Sequence, residues 1–264
     1  MLTLVTRPEP QASQWAADLN ALGLHAQPLP LLALTAPPDA APVARAWQQL
    51  AEVACVLFVS PAAAHWWAQA RPAGACWPAG TLAAAPGPGT ALALLQSLGH
   101  AGLTPEQVIS PPATAAQFDS EHLWPWLAPH PWAGRRVLIA SGGDQGEARG
   151  RQWLSAQWQA QGATVDALLA YTRGPAPWTD ADLAQARQAW AQPGHHAWLF
   201  SSSQAIDVLQ ARMGRAPARA VAVCTHPRVA ERAAQAGFGR LVDTRPQLAE
   251  VASALQVLSC EPHA

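Results

Sequence analysis

The sequence predicts a parallel α/β protein made of two similar units, one of them interrupted by the other. Three observations lead there. Short β-rich runs alternate with alanine-rich amphipathic stretches. The same order of landmarks occurs twice along the 264 residues, a length well above the roughly 150 of one average domain. One matched pair of segments opens the chain in one copy and falls late in the other.

The strands expected in order are Leu2 to Val5, Val53 to Val59, Thr81 to Ala85, Gln107 to Ser110, Arg136 to Ala140, Ala197 to Phe200, Ala220 to Cys224 and Arg240 to Asp243. Helices expected between them include Gln11 to Leu22, Ala62 to Gln69, Gly89 to Leu98, Gln152 to Gln161, Ser203 to Ala211 and Arg228 to Ala236. Most start just after a strand, through Ser, Thr, Gly or Pro, residues that cap or open helices.

The domain organisation follows from the repeat. Val56-Leu57-Phe58-Val59-Ser60-Pro61-Ala62-Ala63-Ala64 answers to Ala197-Trp198-Leu199-Phe200-Ser201-Ser202-Ser203-Gln204-Ala205, and Pro86-Gly87-Pro88-Gly89-Thr90 to Thr225-His226-Pro227-Arg228-Val229. The displaced pair is Leu2-Thr3-Leu4-Val5-Thr6-Arg7-Pro8 and Val137-Leu138-Ile139-Ala140-Ser141-Gly142-Gly143. An insertion of one unit into the other explains the displacement. The expected division is a discontinuous domain of residues 1–30 plus 173–264, an inserted domain of 35–164, and linker strands 28–34 and 165–172. A single eight-stranded sheet is the alternative.

Composition narrows the chemistry. All sixteen basic residues are arginine, which excludes a Schiff-base lysine, a lysine general base and a P-loop lysine. A net charge of −1 gives no basic field for nucleic acid. The N-terminus lacks the basic and apolar regions of a signal peptide and no apolar run reaches a membrane span, so a cytoplasmic location is expected. The four cysteines, Cys55, Cys76, Cys224 and Cys260, form no CxxC pair and are expected to be buried structural residues. His195-His196, in a Pro-Gly context, is expected in an exposed loop.

Ligands of open parallel sheets bind beyond the carboxyl ends of the strands, where helix N-termini offer unpaired N–H groups. Ser60, Thr90, Ser202, the segment Gly142 to Arg151 and the turn Thr225-His226-Pro227-Arg228 all fall at such ends, the rims of a cleft between the units suited to an anionic ligand. Each also has a structural reading: Ser202 as a helix cap, Gly87-Pro88-Gly89-Thr90 as a plain turn, and 142–151 as a flexible loop. Tyr171 is the only tyrosine in a chain with thirteen tryptophans, which points either to its hydroxyl or to a buried inter-unit contact. No Ser-His-Asp set, paired-carboxylate site or metal centre is present in the pattern.

The motifs taken together resemble the uroporphyrinogen-III synthase family. They are Leu4-Val5-Thr6-Arg7-Pro8, Phe58-Val59-Ser60-Pro61-Ala62-Ala63, Gly87-Pro88-Gly89-Thr90-Ala91, Val137-Leu138-Ile139 with the Gly loop ending Gly150-Arg151-Gln152-Trp153-Leu154, Gly162-Ala163-Thr164-Val165-Asp166 leading to Tyr171, Phe200-Ser201-Ser202-Ser203, and His226-Pro227-Arg228-Val229-Ala230. The resemblance spans nearly the whole chain. It implies two flavodoxin-like domains joined by a two-stranded linker, and conversion of hydroxymethylbilane to uroporphyrinogen III with D-ring inversion and loss of water. The implied route passes through an azafulvene and a spiro-pyrrolenine. No metal and no organic cofactor are implied. The substrate, an octacarboxylate, is expected from hydroxymethylbilane synthase, and the enzyme is expected to be a monomer.

Carried over by position, Tyr171 is the implied catalytic group, assisting departure of the substrate hydroxyl. Arg7, Ser60, Thr90, Gly142, Gly143, Gly150, Arg151, Ser202, His226 and Arg228 are the implied substrate contacts. Two departures stand out: His226-Pro227-Arg228-Val229 replaces the Gly-Pro-Thr-Thr of many members, with Arg228 as the substitute contact, and the Gly loop is longer than usual. The competing reading is a non-catalytic two-lobed binding or sensor protein for a small anion.

Overall fold

The computed structural model describes residues 1–115, 117–143 and 152–260. The chain runs β1 (Leu2–Val5), α1 (Gln11–Ala21), β2 (His25–Pro28), β3 (Leu32–Thr35), α2 (Ala41–Gln48), β4 (Val53–Phe58) and α3 (Pro61–Gln69). Next come β5 (Leu82–Ala84), α4 (Pro88–Leu98), β6 (Val108–Ile109), α5 (Ser120–Leu127), β7 (Arg136–Gly143), α6 (Gln152–Ala160) and β8 (Thr164–Pro175). It continues with α7 (Asp180–Ala191), β9 (His196–Phe200), α8 (Ser203–Met213), β10 (Val221–Cys224), α9 (Pro227–Ala236), β11 (Arg240–Asp243) and α10 (Leu248–Cys260).

Two compact units result: Met1–Leu34 with the chain from Gly174 onward, and Thr35–Arg173. The first holds a five-stranded sheet in the order β11-β10-β9-β1-β2, with parallel neighbours throughout. Numbered by their order within the unit, these strands follow the doubly wound pattern 2-1-3-4-5. The second sheet runs β3-β8-β7-β4-β5-β6. If β7 is taken as its first strand and β8 as its second, the same pattern appears, with β3 added at the edge. Thus β1 and β7 hold equivalent places, and the insertion makes one unit a circular permutation of the other.

Both faces of each sheet are covered, so the strands read as continuous apolar runs. In the first unit Leu4, Trp198, Phe200, Ala222 and Cys224 pack against Ile206 and Leu209 of α8 and Val229 and Ala233 of α9. The alternate residues Val5, Leu199, Val221 and Val223 face Ala12, Ala16 and Leu19 of α1 and Val251 and Leu255 of α10. In the inserted unit Cys55, Leu57, Val137 and Ile139 meet Leu123, Leu127, Leu154 and Trp158. On its other face Phe58 meets Trp67 edge-on at 5.6 Å. The tryptophan-rich composition therefore serves the cores, where Trp67, Trp158 and Trp198 are fully buried.

Two sheets form, as expected, and not the alternative single eight-stranded sheet. Residues 165–172 lie within β8, which is neighbour to β3 and is paired with β7, whose register continues through Tyr171 and Thr172. Other expectations are corrected. Gly142 and Gly143 belong to β7 and not to a loop, for the same reason. His196 is buried at the start of β9, its Nδ1 3.0 Å from the carbonyl oxygen of Gln192, while His195 is exposed. Cys55 and Cys224 are buried but Cys76 is exposed; the side chain of Cys260 lies outside the described residues.

Candidate functional site

In the inserted unit, the order reverses between β7 and β4. There α3 leaves to one face of the sheet and α6 to the other, opening the crevice in which doubly wound folds hold ligands. Ser60, Gly142 and Tyr171 meet at this point. The N–H of Val59 donates to the carbonyl of Ala140 at 3.2 Å, holding the end of β4 against β7. Ser60 then caps α3, its Oγ accepting from the N–H of Ala63 at 3.2 Å. The same Oγ is 3.3 Å from the Tyr171 hydroxyl.

Tyr171 reaches this place through a bulge in β8. Ser141 pairs with Leu169 but Gly142 pairs with Tyr171, so Ala170 is the extra residue. Two successive side chains, Ala170 and Tyr171, consequently face inward and are buried. The phenol crosses position 142 so closely that a Cβ there would lie 2.2 Å from Tyr171 Cζ. With Ser60 Oγ accepting from Ala63, the Ser60 proton is available to the Tyr171 oxygen. Either hydroxyl can be the donor in this contact, and with Ser60 donating the phenolic O–H is free to donate to a ligand.

Next along this sheet end, α4 begins at Pro88 after Gly87 as N-cap. Thr90 lies in its first turn and is only 6% exposed. The third helical position turns toward the sheet, and Val229 at the equivalent place in α9 is 5% exposed for the same reason. Gly150 and Arg151 lie outside the described residues.

In the first unit the reversal falls between β1 and β9. Thr6 fixes it, its Oγ1 donating to the carbonyl of Leu199 at 2.7 Å. The next residue, Arg7, stacks its guanidinium on Trp15 of α1, with Cζ 4.0 Å from the ring centroid. Burial lowers the Arg7 pKa from its ordinary value, and its Nε is buried with no hydrogen-bond partner. NH1 makes a long contact of 3.5 Å to Gln11 Oε1. A desolvated guanidinium with an unused donor suits an incoming carboxylate.

Ser202 occupies the N-cap of α8 but makes no side-chain capping bond, unlike Ser60. His226 is the N-cap of α9, its Nδ1 accepting from the Arg228 N–H at 3.1 Å. A nitrogen used as an acceptor carries no proton, so the neutral ring presents Nε2–H outward. The Arg228 side chain is exposed.

Sequence reasoning missed Trp15, whose spacing from Arg7 on α1 was available, and Ser141. The latter is fully buried at the end of β7 with no hydrogen-bond partner for its hydroxyl. Among the described residues, no group of three or more His, Cys, Asp or Glu side chains could hold a metal ion. No helix of the described residues is long and apolar enough to cross a membrane.

The family model described as uroporphyrinogen-III synthase HemD matches residues 13–252. Solved structures share the fold, two of them as follows. A mutant uroporphyrinogen III synthase from the extremely thermophilic bacterium Thermus thermophilus aligns at TM-score 0.52 and 18% identity, covering 98% of each chain. The uroporphyrinogen-III synthetase of Helicobacter pylori 26695 aligns at TM-score 0.53 and 12% identity, covering 99% of this chain and 100% of the other. No curated protein sequence matches the chain. The match over residues 13–252 shows that this chain belongs to the uroporphyrinogen-III synthase family.

Proposed function

We propose that the chain closes hydroxymethylbilane to uroporphyrinogen III, inverting the D ring and releasing water, and that Tyr171 is the group acting on the departing hydroxyl. The family match supports the reaction over the binding or sensor reading. The placement of Tyr171 at the sheet's reversal point, held by Ser60 and Gly142, supports the role of that residue.

In this reading the C–O bond of the substrate's hydroxymethyl group breaks as the pyrrole nitrogen supplies electrons. The Tyr171 O–H gives its proton to the leaving oxygen, so that water departs. The Ser60 hydroxyl, donating to the phenolic oxygen, stabilises the charge that develops there. Ring closure and rearomatisation release a proton that restores the phenol. Most of the reactivity resides in the substrate, and the protein supplies position and one proton relay. Arg7, Arg228, Ser202, the His226 Nε2–H and the amides around Thr90 are the proposed contacts for acetate and propionate groups, together with Gly142, Gly143, Gly150 and Arg151. A monomer in the cytoplasm, receiving the bilane from hydroxymethylbilane synthase, completes the proposal.

The test is an incubation with freshly generated hydroxymethylbilane and separation of the porphyrinogen isomers. Uroporphyrinogen III is expected. Isomer I alone, from protein shown to be folded, would overturn the proposal.

A further inference from the structure

We propose that Phe118 is an aromatic wall of the substrate crevice in the inserted unit, placed to stack on a pyrrole ring of the bilane. This inference rests on the synthase reading above and names a specificity residue for it.

The course of the chain puts Phe118 at the end of the sheet where Tyr171 lies. Strand β6 stands at one edge, beside β5. The next helix, α5, sends Leu123 and Leu127 into the cluster that holds Cys55 and Leu57 of β4 and Val137 and Ile139 of β7. Since α5 leads from β6 back to the start of the parallel strand β7, it begins at the carboxyl ends of the strands. Phe118 directly precedes Asp119, which caps α5 by accepting from the N–H of His122 at 2.9 Å.

Gly87 marks where the ring goes. A Cβ at position 87 would lie 2.9 Å from Phe118 Cγ and 3.0 Å from its Cβ and Cδ1. Gly87 is the N-cap of α4, just past β5, and its φ of −171° is extended backbone open to any residue. The ring is therefore the reason for glycine there, as the Tyr171 ring is at Gly142. Two strand spacings separate β5 from β7, so their carboxyl ends stand roughly 10 Å apart along the sheet edge. One linear tetrapyrrole spans that distance.

The second observation is the exposure of the ring. Phe118 packs on Gly87, yet it is 46% exposed. A single exposed apolar side chain is ordinary. What sets Phe118 apart is the glycine that makes room for it at the end of the sheet where doubly wound folds hold ligands. A phenyl ring seated on backbone and left nearly half open has surface for a second ring. A pyrrole in offset or edge contact is a suitable partner.

The test is Phe118→Ala, Phe118→Leu and Phe118→Tyr in the full chain. The readouts are hydroxymethylbilane kinetics, thermal melting, and fluorescence titration with uroporphyrin III, a stable tetrapyrrole. Phe118→Ala and Phe118→Leu should raise KM and the uroporphyrin Kd roughly 3- to 10-fold, the scale of one aromatic pair, with kcat little changed. Leucine keeps apolar bulk over Gly87, so its melting temperature should stay near that of the parent, which separates ring recognition from packing. Phe118→Tyr keeps the ring face and should bind as the parent does. Parent-like KM and Kd in Phe118→Leu would overturn the proposal, because apolar bulk without an aromatic face would then suffice. Weakening by Phe118→Tyr equal to that by Phe118→Leu would overturn it too. Parent protein yielding only isomer I would sink the synthase reading instead, and the uroporphyrin titration would still decide whether Phe118 faces a tetrapyrrole.

Discussion

The phenol ring of Tyr171 occupies the space that a side chain on Gly142 would need. A Cβ at 142 would stand 2.2 Å from Cζ, 2.4 Å from Cε2 and 2.6 Å from the hydroxyl oxygen. Gly142 has no left-handed backbone conformation to account for it, so the contact with Tyr171 is its reason. Gly142→Ala should therefore push the phenol away from Ser60 and cost about 1–3 kcal/mol, as overpacking does. The check is a double-mutant cycle by chemical denaturation. In a Tyr171→Ala background the added methyl should be nearly neutral, and an equal cost in both backgrounds would separate the two residues.

Tyr171→Phe removes only the oxygen. Its 3.3 Å contact with Ser60 is long, so stability should fall by less than about 1 kcal/mol. Turnover should drop at least about 10-fold, with KM nearly unchanged, because a donor to the leaving hydroxyl acts mainly in the transition state. Isomer III formation measured over a range of bilane concentrations separates the two constants. Equal kcat in both proteins would return Tyr171 to a purely structural role.

Alternation and repetition made the doubly wound order legible, because β1 and β7 share a local pattern wherever they lie in the chain. What stayed hidden depends on distant partners. Ser141-Gly142-Gly143 has turn composition, yet it continues β7 because β8 bulges at Ala170 and supplies Tyr171 and Thr172 as neighbours. Nothing near residue 141 in sequence announces that pairing, and so the buried Ser141 hydroxyl was missed. Thr90 reads as a rim hydroxyl because it falls just past the carboxyl end of a strand. Helix phase, a geometric matter, turns it and Val229 toward the sheets.

Arg7 offers a case in which binding and stability should part. Its guanidinium is desolvated on Trp15, and its Nε has no acceptor. Arg7→Ala should raise KM on the order of 10-fold, the scale of a charged hydrogen bond, while the melting temperature holds steady. Arg7→Lys should recover little of the loss, since an ammonium lacks the planar fork and stacks poorly. Recovery of full affinity by lysine would mean that charge alone is read there. Exposed Arg228 should behave differently: Arg228→Ala should weaken binding chiefly at low salt, where screening is weakest.

The thiols provide a test that is independent of substrate. Burial raises the Cys55 pKa well above its ordinary value near 9, and burial, with a smaller push from Asp243, raises that of Cys224 to about 12. Cys76 is exposed. Since the thiolate is the nucleophile, a disulfide reagent at pH 8 should label Cys76 in seconds to minutes. Cys55 and Cys224 should react only as the fold opens, and peptide mass spectrometry would tell the sites apart. The same shifts set a sign for stability. Well below pH 9 both thiols are neutral in folded and unfolded chains alike, and they contribute no pH dependence. Above it the unfolded thiols ionise while the folded ones stay protonated, so stability should fall as pH climbs from 9 toward 12. Replacing both with alanine should lower the melting temperature at about pH 7 through lost packing, but flatten its decline above pH 9. An unchanged alkaline slope in that variant would show that these two thiols do not govern it.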